Sequence, residues 1–212
     1  APIGAAASSS TIKFTVVDNG GTTNGGKDTD EVPNTLTFSV GANRPPVAAD
    51  DTYSMNEDGA AIPLNPLRGD SDPEGTTPTI KSINGVDLTP GTAQTINVPN
   101  GVVSVSPTGA ITFKPNADFN GTVEFPYVIT DGINTATAKQ TINVAPVNDA
   151  PDGTDKTFAN VASGSRTVLT VADFGFKDPK DNPANALKEI KVDAPSAGTL
   201  TLDGQPVTGS VT

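Results

Sequence analysis

Three groups of oxygen-bearing side chains fall at turns of this chain, outside its apolar runs. Asp70, Asp72 and Glu74 lie in Gly69-Asp70-Ser71-Asp72-Pro73-Glu74-Gly75, Asp118 and Asn120 in Asp118-Phe119-Asn120-Gly121, and Asn148 and Asp149 in Val147-Asn148-Asp149-Ala150-Pro151. Glu57, in Asn56-Glu57-Asp58-Gly59, is placed to join them. Carboxylates and amides that converge repel one another unless protonated or bridged by a cation, and Ca²⁺ accepts several such oxygens in a flexible shell. The plain alternative is that Asp and Asn are ordinary turn formers. Asp70 to Gly75 is not a full EF-hand loop, because the closing Glu and the flanking helices are missing. Asp18, Asp28, Asp30 and Glu31 form a further set, in a Gly-rich loop long enough to wrap an ion or to be simply mobile.

Other chemistries find little support. The chain has no His and no Cys, so its Ser residues lack a base of the usual triad and thiol chemistry is excluded. Glycoside hydrolysis needs two carboxylates across a groove usually walled by aromatics, and here there is no Trp and only Tyr53 and Tyr127. No catalysis is expected. Thirteen basic against 24 acidic residues give a net charge of -11 without a basic cluster, which disfavours nucleic acid and anionic lipid and suits divalent cations. The absence of Cys does not fix a compartment. No run is long enough to span a membrane, and Ala1-Pro2-Ile3-Gly4 does not read as a signal peptide, so an export address would lie outside this sequence.

The elements that must hold these side chains read as short strands. Thr11–Val17 and Thr35–Val40 alternate as a long-looped hairpin after a frayed lead-in at Ala5–Ser10. Asp51–Met55 and Ala60–Leu64 form a split first strand, followed by Thr79–Val86, Thr95–Val98, Val102–Val105, Ala110–Phe113, Thr122–Ile129 and Thr135–Val144. About seven short strands at this spacing fit an immunoglobulin-like β-sandwich with Greek-key connections. In that arrangement the Asp70–Glu74 loop, the Asp118 loop and the Asn148–Asp149 linker gather at the trailing end, whereas Asp50 and Asp131 face the leading end. Pro126 implies an edge or a bulge. Tyr53 is placed to pack across a junction, and an exposed Tyr or Phe beside an ion would instead make a sugar-binding patch.

The pattern also repeats. Ile12, Phe14, Val16 and Asp18 answer in order to Phe125, Tyr127, Ile129 and Asp131, Pro151–Phe158 resembles Pro46–Tyr53, and Asp178-Pro179 stands where Asp72-Pro73 stood. The expected organisation is the closing hairpin of one module at 1–43, a complete module at 44–148 and the opening of a third at 149–212, with strands at Thr167–Val171, Leu187–Val192 and Thr199–Leu202. Partners are then the neighbouring modules of the same chain, with head-to-tail contact between molecules through the partial ends. Pro45 and Pro46 stiffen the first linker. Arg44 stands in the place of Asp149, so the first junction should rely on proline and the second on an ion.

These segments carry a family resemblance. Phe14-Thr15-Val16-Val17-Asp18-Asn19-Gly20-Gly21, with Pro33-Asn34-Thr35-Leu36-Thr37, resembles the closing hairpin of repeats in giant bacterial surface adhesins, and Gly198-Thr199-Leu200-Thr201-Leu202-Asp203-Gly204 is similar to an earlier part of that repeat. Pro46 to Asp51, Asn56 to Gly59, Asp70 to Gly75, Asp118 to Gly121 and Asp131-Gly132 are similar to a cadherin-like tandem module of such RTX-type proteins. The resemblance implies type I secretion to the bacterial cell surface, linear arrays of extender domains serving adhesion or biofilm formation, and Ca²⁺ at the junctions. It carries over Asp72, Asp118 and Asp149, with Asp70, Glu74 and Asn148 beside them. Lys180, where Glu74 would be matched, departs from it. The alternative function is a module that binds carbohydrate or protein directly.

Overall fold

Alternation of apolar and polar residues selects the strands, and the availability of a hydrogen-bonding neighbour decides which of them persist. A computed structural model describes residues 7–210. The strands are β1 (Ser8–Phe14), β2 (Asn34–Val40), β3 (Asp51–Asn56), β4 (Ile62–Leu64), β5 (Thr79–Ile83), β6 (Val86–Asp87), β7 (Gln94–Val98), β8 (Gly101–Val105), β9 (Ile111–Pro115), β10 (Gly121–Thr130), β11 (Thr135–Ala145), β12 (Thr201–Leu202) and β13 (Gln205–Pro206). The described residues are all-β apart from short 3-10 turns at Thr23–Gly25 and Val171–Phe174. Ser8–Ser10 belong to β1 and not to a frayed lead-in; Ala5 and Ala6 of that expected stretch lie outside the described residues.

The middle of the chain forms two sheets, one of five strands in the order β3-β11-β10-β5-β6 and one of four in the order β4-β9-β8-β7. The split first strand therefore serves both sheets: β3 lies beside β11, and after the break at Glu57–Gly59 β4 pairs with β9. Strict alternation along β10 buries Val123, Phe125, Tyr127 and Ile129, and along β9 it buries Ile111 and Phe113. The rings of Phe113 and Phe125 stack with centroids 6.3 Å apart, joining one strand of each sheet. Gly101, in β8, must lack a side chain: a Cβ there would stand 2.5 Å from the Phe113 ring and 2.8 Å from the Lys114 carbonyl.

β3 and β11 run in the same direction. Asp50 accepts the Lys139 N–H at 2.8 Å, Asp51 the Gln140 Nε2–H at 3.0 Å, and the Glu57 N–H donates to the Ala145 carbonyl at 2.9 Å, so both strands advance together. Pro126 is in an interior strand, which corrects the expected edge. Pairing between β10 and β5 starts at Tyr127↔Ile83, one residue beyond Pro126, and the register shifts between Val128 and Ile129. The missing N–H thus falls just outside that ladder and the Pro126 carbonyl still accepts from Asn84 N–H at 2.8 Å.

By compactness the chain divides into two units: Ala61–Lys114 and Val123–Ile142 with the chain up to Tyr53, and Asn143–Thr212 with Ser54–Ala60 and Pro115–Thr122. In the first, β1 and β2 make a separate two-stranded ribbon with Ile12 opposite Leu36. In the second, the only regular pairing among the described residues after Ala145 is the tight hairpin β12–β13, turning on Asp203 and Gly204 with positive φ. The strands expected at Thr167–Val171 and Leu187–Val192 are not formed: those runs are apolar enough but have no ladder partner, and a strand cannot exist without one. The bridge Val47↔Ser71 of the first unit recurs in the second as Asp152↔Lys177, with both N–H groups donating in each case.

Candidate metal centre

Among the described residues, three carboxylates come within 4.8 Å of one another: Asp58, Asp118 and Asp149. All three belong to the second unit, and each is held by local backbone geometry. Asp58 sits at the break in the first strand with φ 57°, and Asp118 begins the loop before β10 with φ 54°, a left-handed conformation that short polar side chains tolerate. The Asp118 N–H donates to Asp58 Oδ1 at 3.1 Å. Asp149 stands in the linker after β11, its N–H donating to Asp181 Oδ1 at 3.1 Å.

Oxygens without a donor surround this cluster. Glu57 is 2% exposed; its Oε1 accepts the Val147 N–H at 2.7 Å and its Oε2 has no hydrogen-bond partner. Asp149 Oδ2 is likewise buried and unpartnered, as are Asn120 Oδ1 and Asp178 Oδ1. Asn120 Nδ2 donates to the Asn182 carbonyl at 2.6 Å, and Asp178, 8% exposed, accepts the Asn185 N–H on its other oxygen. Asn185 also donates to Asn148 Oδ1 at 3.0 Å and Asp181 Oδ2 at 2.6 Å. Buried acceptors without donors are costly, about 1–3 kcal/mol each and more when charged. Several in one unit, all oxygens, form a donor set suited to a hard cation, and these residues fit Ca²⁺.

The electrostatics agree. Burial first, then the facing Asp58 and Asp118, hold the Asp149 carboxyl above its ordinary range, with Lys180 opposing. A carboxyl whose folded-state pKa is raised contributes stability below the ordinary value of 3.8 and loses it as pH rises through the folded value. With chelator present, Asp149→Asn is therefore expected to melt above the wild type at neutral pH, the difference closing as pH falls below that value. Thermal melts over a pH series check this.

Asp70, Asp72 and Glu74 are used elsewhere, which corrects their expected place at the trailing end. The Val47↔Ser71 bridge draws their loop onto the leading linker instead. Arg44 donates its Nε–H to Glu74 Oε1 at 2.7 Å and its N–H to Oε2 at 3.0 Å, and holds the Glu74 carboxyl below its usual range. Asp72 Oδ1 caps the turn through the Glu74 and Thr76 N–H groups. Asn43 Nδ2 donates to Asp131 Oδ2 at 2.7 Å, and the Ile133 and Asn134 N–H groups bind its other oxygen. Asp18 accepts the Gly20 N–H and Asp30 the Val32 N–H and the Asn34 amide; Asp28 accepts the Thr29 hydroxyl, and Lys27 pairs with Glu31. These are turn-building roles.

Asp70 accepts the Ala49 N–H at 2.8 Å and lies 3.1 Å from the hydroxyl of Tyr127, which is 0% exposed and also reaches the Ala49 carbonyl at 2.7 Å. Burial, then the nearby Asp70 charge, raises the pKa of this phenol. Removing its hydroxyl in Tyr127→Phe leaves buried acceptors short of a donor and is expected to cost about 1–3 kcal/mol in chemical denaturation. Tyr53 stays within its own module: its hydroxyl accepts the Asn65 N–H, and the Arg68 guanidinium lies over its ring at 5.6 Å.

Asp58 was not singled out in the sequence, although it follows Glu57 directly. The signal was the acidic pair before Gly59 at the break of the first strand. Asp178, Asp181 and Asn185 were legible only as a repeat of Asp72-Pro73.

Residues 43–145 match the family described as bacterial Ig domain, so a single bacterial Ig-like domain occupies the middle of the chain. It is a small all-β domain of extracellular type. No curated protein matches the chain. Among solved structures it is similar to the endo-fucoidan hydrolase MfFcnA4 from glycoside hydrolase family 107, at 14% identity and TM-score 0.32, covering 68% of this chain and 19% of that one. A substituted form of that hydrolase gives the same identity and TM-score over 66% of this chain and 24% of that one. The chain thus spans less than a quarter of either structure. No helix among the described residues is long and apolar enough to cross a membrane.

Proposed function

We propose that this chain is a non-catalytic segment of a secreted bacterial surface protein of the RTX adhesin type, in which cadherin-like Greek-key sandwiches follow one another and Ca²⁺ stiffens a junction between them. The modules are residues 44–148 with partial neighbours at 1–43 and 149–212. The observation that carries the reading is the meeting of Asp58, Asp118 and Asp149 beside the unpartnered oxygens of Glu57 and Asn120. Asp58, Asp118 and Asp149 would hold the ion, with Glu57 and Asn120 supplying further oxygens. A bound cation neutralises carboxylates that otherwise repel and fixes the linker at Asp149 to loops of the module before it. Small-angle scattering tests this: chelation is expected to broaden the distribution of the radius of gyration, and an identical curve with and without calcium counts against it.

A second reading is supported by other residues. The Ig-like match is as compatible with a domain that contacts a carbohydrate or protein ligand itself, and uncovered apolar side chains at Phe14, Leu36 and Phe38 supply a surface for protein. Sugar recognition by the Phe125–Tyr127 pair is not favoured, because both are core residues. Retention of the chain on a glycan or protein array, unaffected by chelation, would favour this reading.

A further inference from the structure

The β1–β2 ribbon has two unlike faces. Ile12, Phe14, Leu36, Phe38 and Val40 share one, and Thr11, Lys13, Thr35 and Thr37 the other. The apolar set is bare, from 43% exposed at Val40 to 53% at Ile12. Phe125, Tyr127 and Ile129, at matching positions before Asp131, are 2% exposed or less. That hairpin, β10–β11, is seated between β3 and β5 in its sheet. The ribbon therefore has the side chains of an inserted hairpin without the insertion, and both its edges are open.

The second unit has the converse form. Its Asp152↔Lys177 bridge repeats Val47↔Ser71, which marks it as the part of the plan that flanks such a hairpin. Val168, Leu169, Val171, Ile190, Leu200 and Leu202 line an open groove of about 470 Å³. The apolar runs at Thr167–Val171 and Leu187–Val192 carry no ladder, so backbone groups there are available for pairing.

We propose that the β1–β2 ribbon of one copy seats in this groove of a second copy, adding strands to it, so that molecules join head to tail. The occupant is a second copy because the chain itself carries the matching hairpin. The contact is heterologous, joining two different surfaces, so it propagates instead of closing on a pair. It does not rest on the cation reading.

Sedimentation velocity of the full chain over a concentration series tests it. The wild type is expected to pass from single chains to species larger than two. Phe14→Asp spoils the ribbon and Leu202→Asp the groove; both positions are exposed in the single chain, so neither substitution strips a core, and wild-type melting curves confirm this. Each variant alone should sediment as one chain. An equal mixture should form two-chain species and stop there, since each molecule keeps one sound surface. Single chains at every wild-type concentration, which would assign the groove to another occupant, overturn the proposal. So does a wild type that stops at two chains, or a mixture that stays single.

Discussion

Calcium at a hundredfold excess over its dissociation constant is expected to stabilise the second unit by about 2.7 kcal/mol, and chelation to remove that increment. The size follows from mass action on a site that exists only when Ser54–Ala60, Pro115–Thr122 and the Asp149 linker are folded together. Asp149→Ala and Asp118→Ala should each abolish the calcium-dependent part of the melting curve while leaving the core of the first unit unchanged. Magnesium should act weakly, because it demands a stricter shell and dehydrates reluctantly. Acid should weaken calcium uptake, since protons compete for an Asp149 carboxyl already held above its ordinary range. Calorimetry and melts with calcium, magnesium and chelator check these points together; a calcium effect that persists in Asp149→Ala would place the ion elsewhere.

Phe125→Ala is expected to cost about 3–5 kcal/mol, enough to unfold a marginal domain of this size. Phe125 is buried between the sheets against Phe113, in a strand flanked on both sides, so the space it leaves cannot be filled by sliding an edge. The same truncation on the ribbon, Phe14→Ala, should change the stability of a single chain by much less, because Phe14 is already half exposed. Urea denaturation of both variants makes the comparison.

The strands of the middle module were legible because a two-residue alternation has one sensible reading when one face is buried: β7, β8, β9, β10 and β11 lie within a residue or two of their expected bounds. The same reasoning failed at Thr167–Val171 and Leu187–Val192. Alternation reports which side chains seek cover, whereas a ladder also needs a neighbour that local sequence does not reveal. The site was half legible for a related reason. Asp118 and Asp149 carry the residue types and the loop positions, but Asp70, Asp72 and Glu74 have the same types in an equally acidic loop, and only the Val47↔Ser71 bridge and the Arg44 ion pair assign that loop to the leading linker. Arg44 was the usable clue, a cation supplied by the chain where a free one would otherwise be needed.

The parallel run of β3 beside β11 bears on how the module would answer to tension. A pull applied through the linkers at Asn43 and Val147 draws these neighbours past each other along their length. Their cross-links, among them Asp51 to Gln140 and Glu57 to Ala145, are then loaded in shear and yield together, not one after another like an opening zip. Glu57 Oε1 also grips the Val147 N–H, so the first residue to feel the force is tied directly to that clamp.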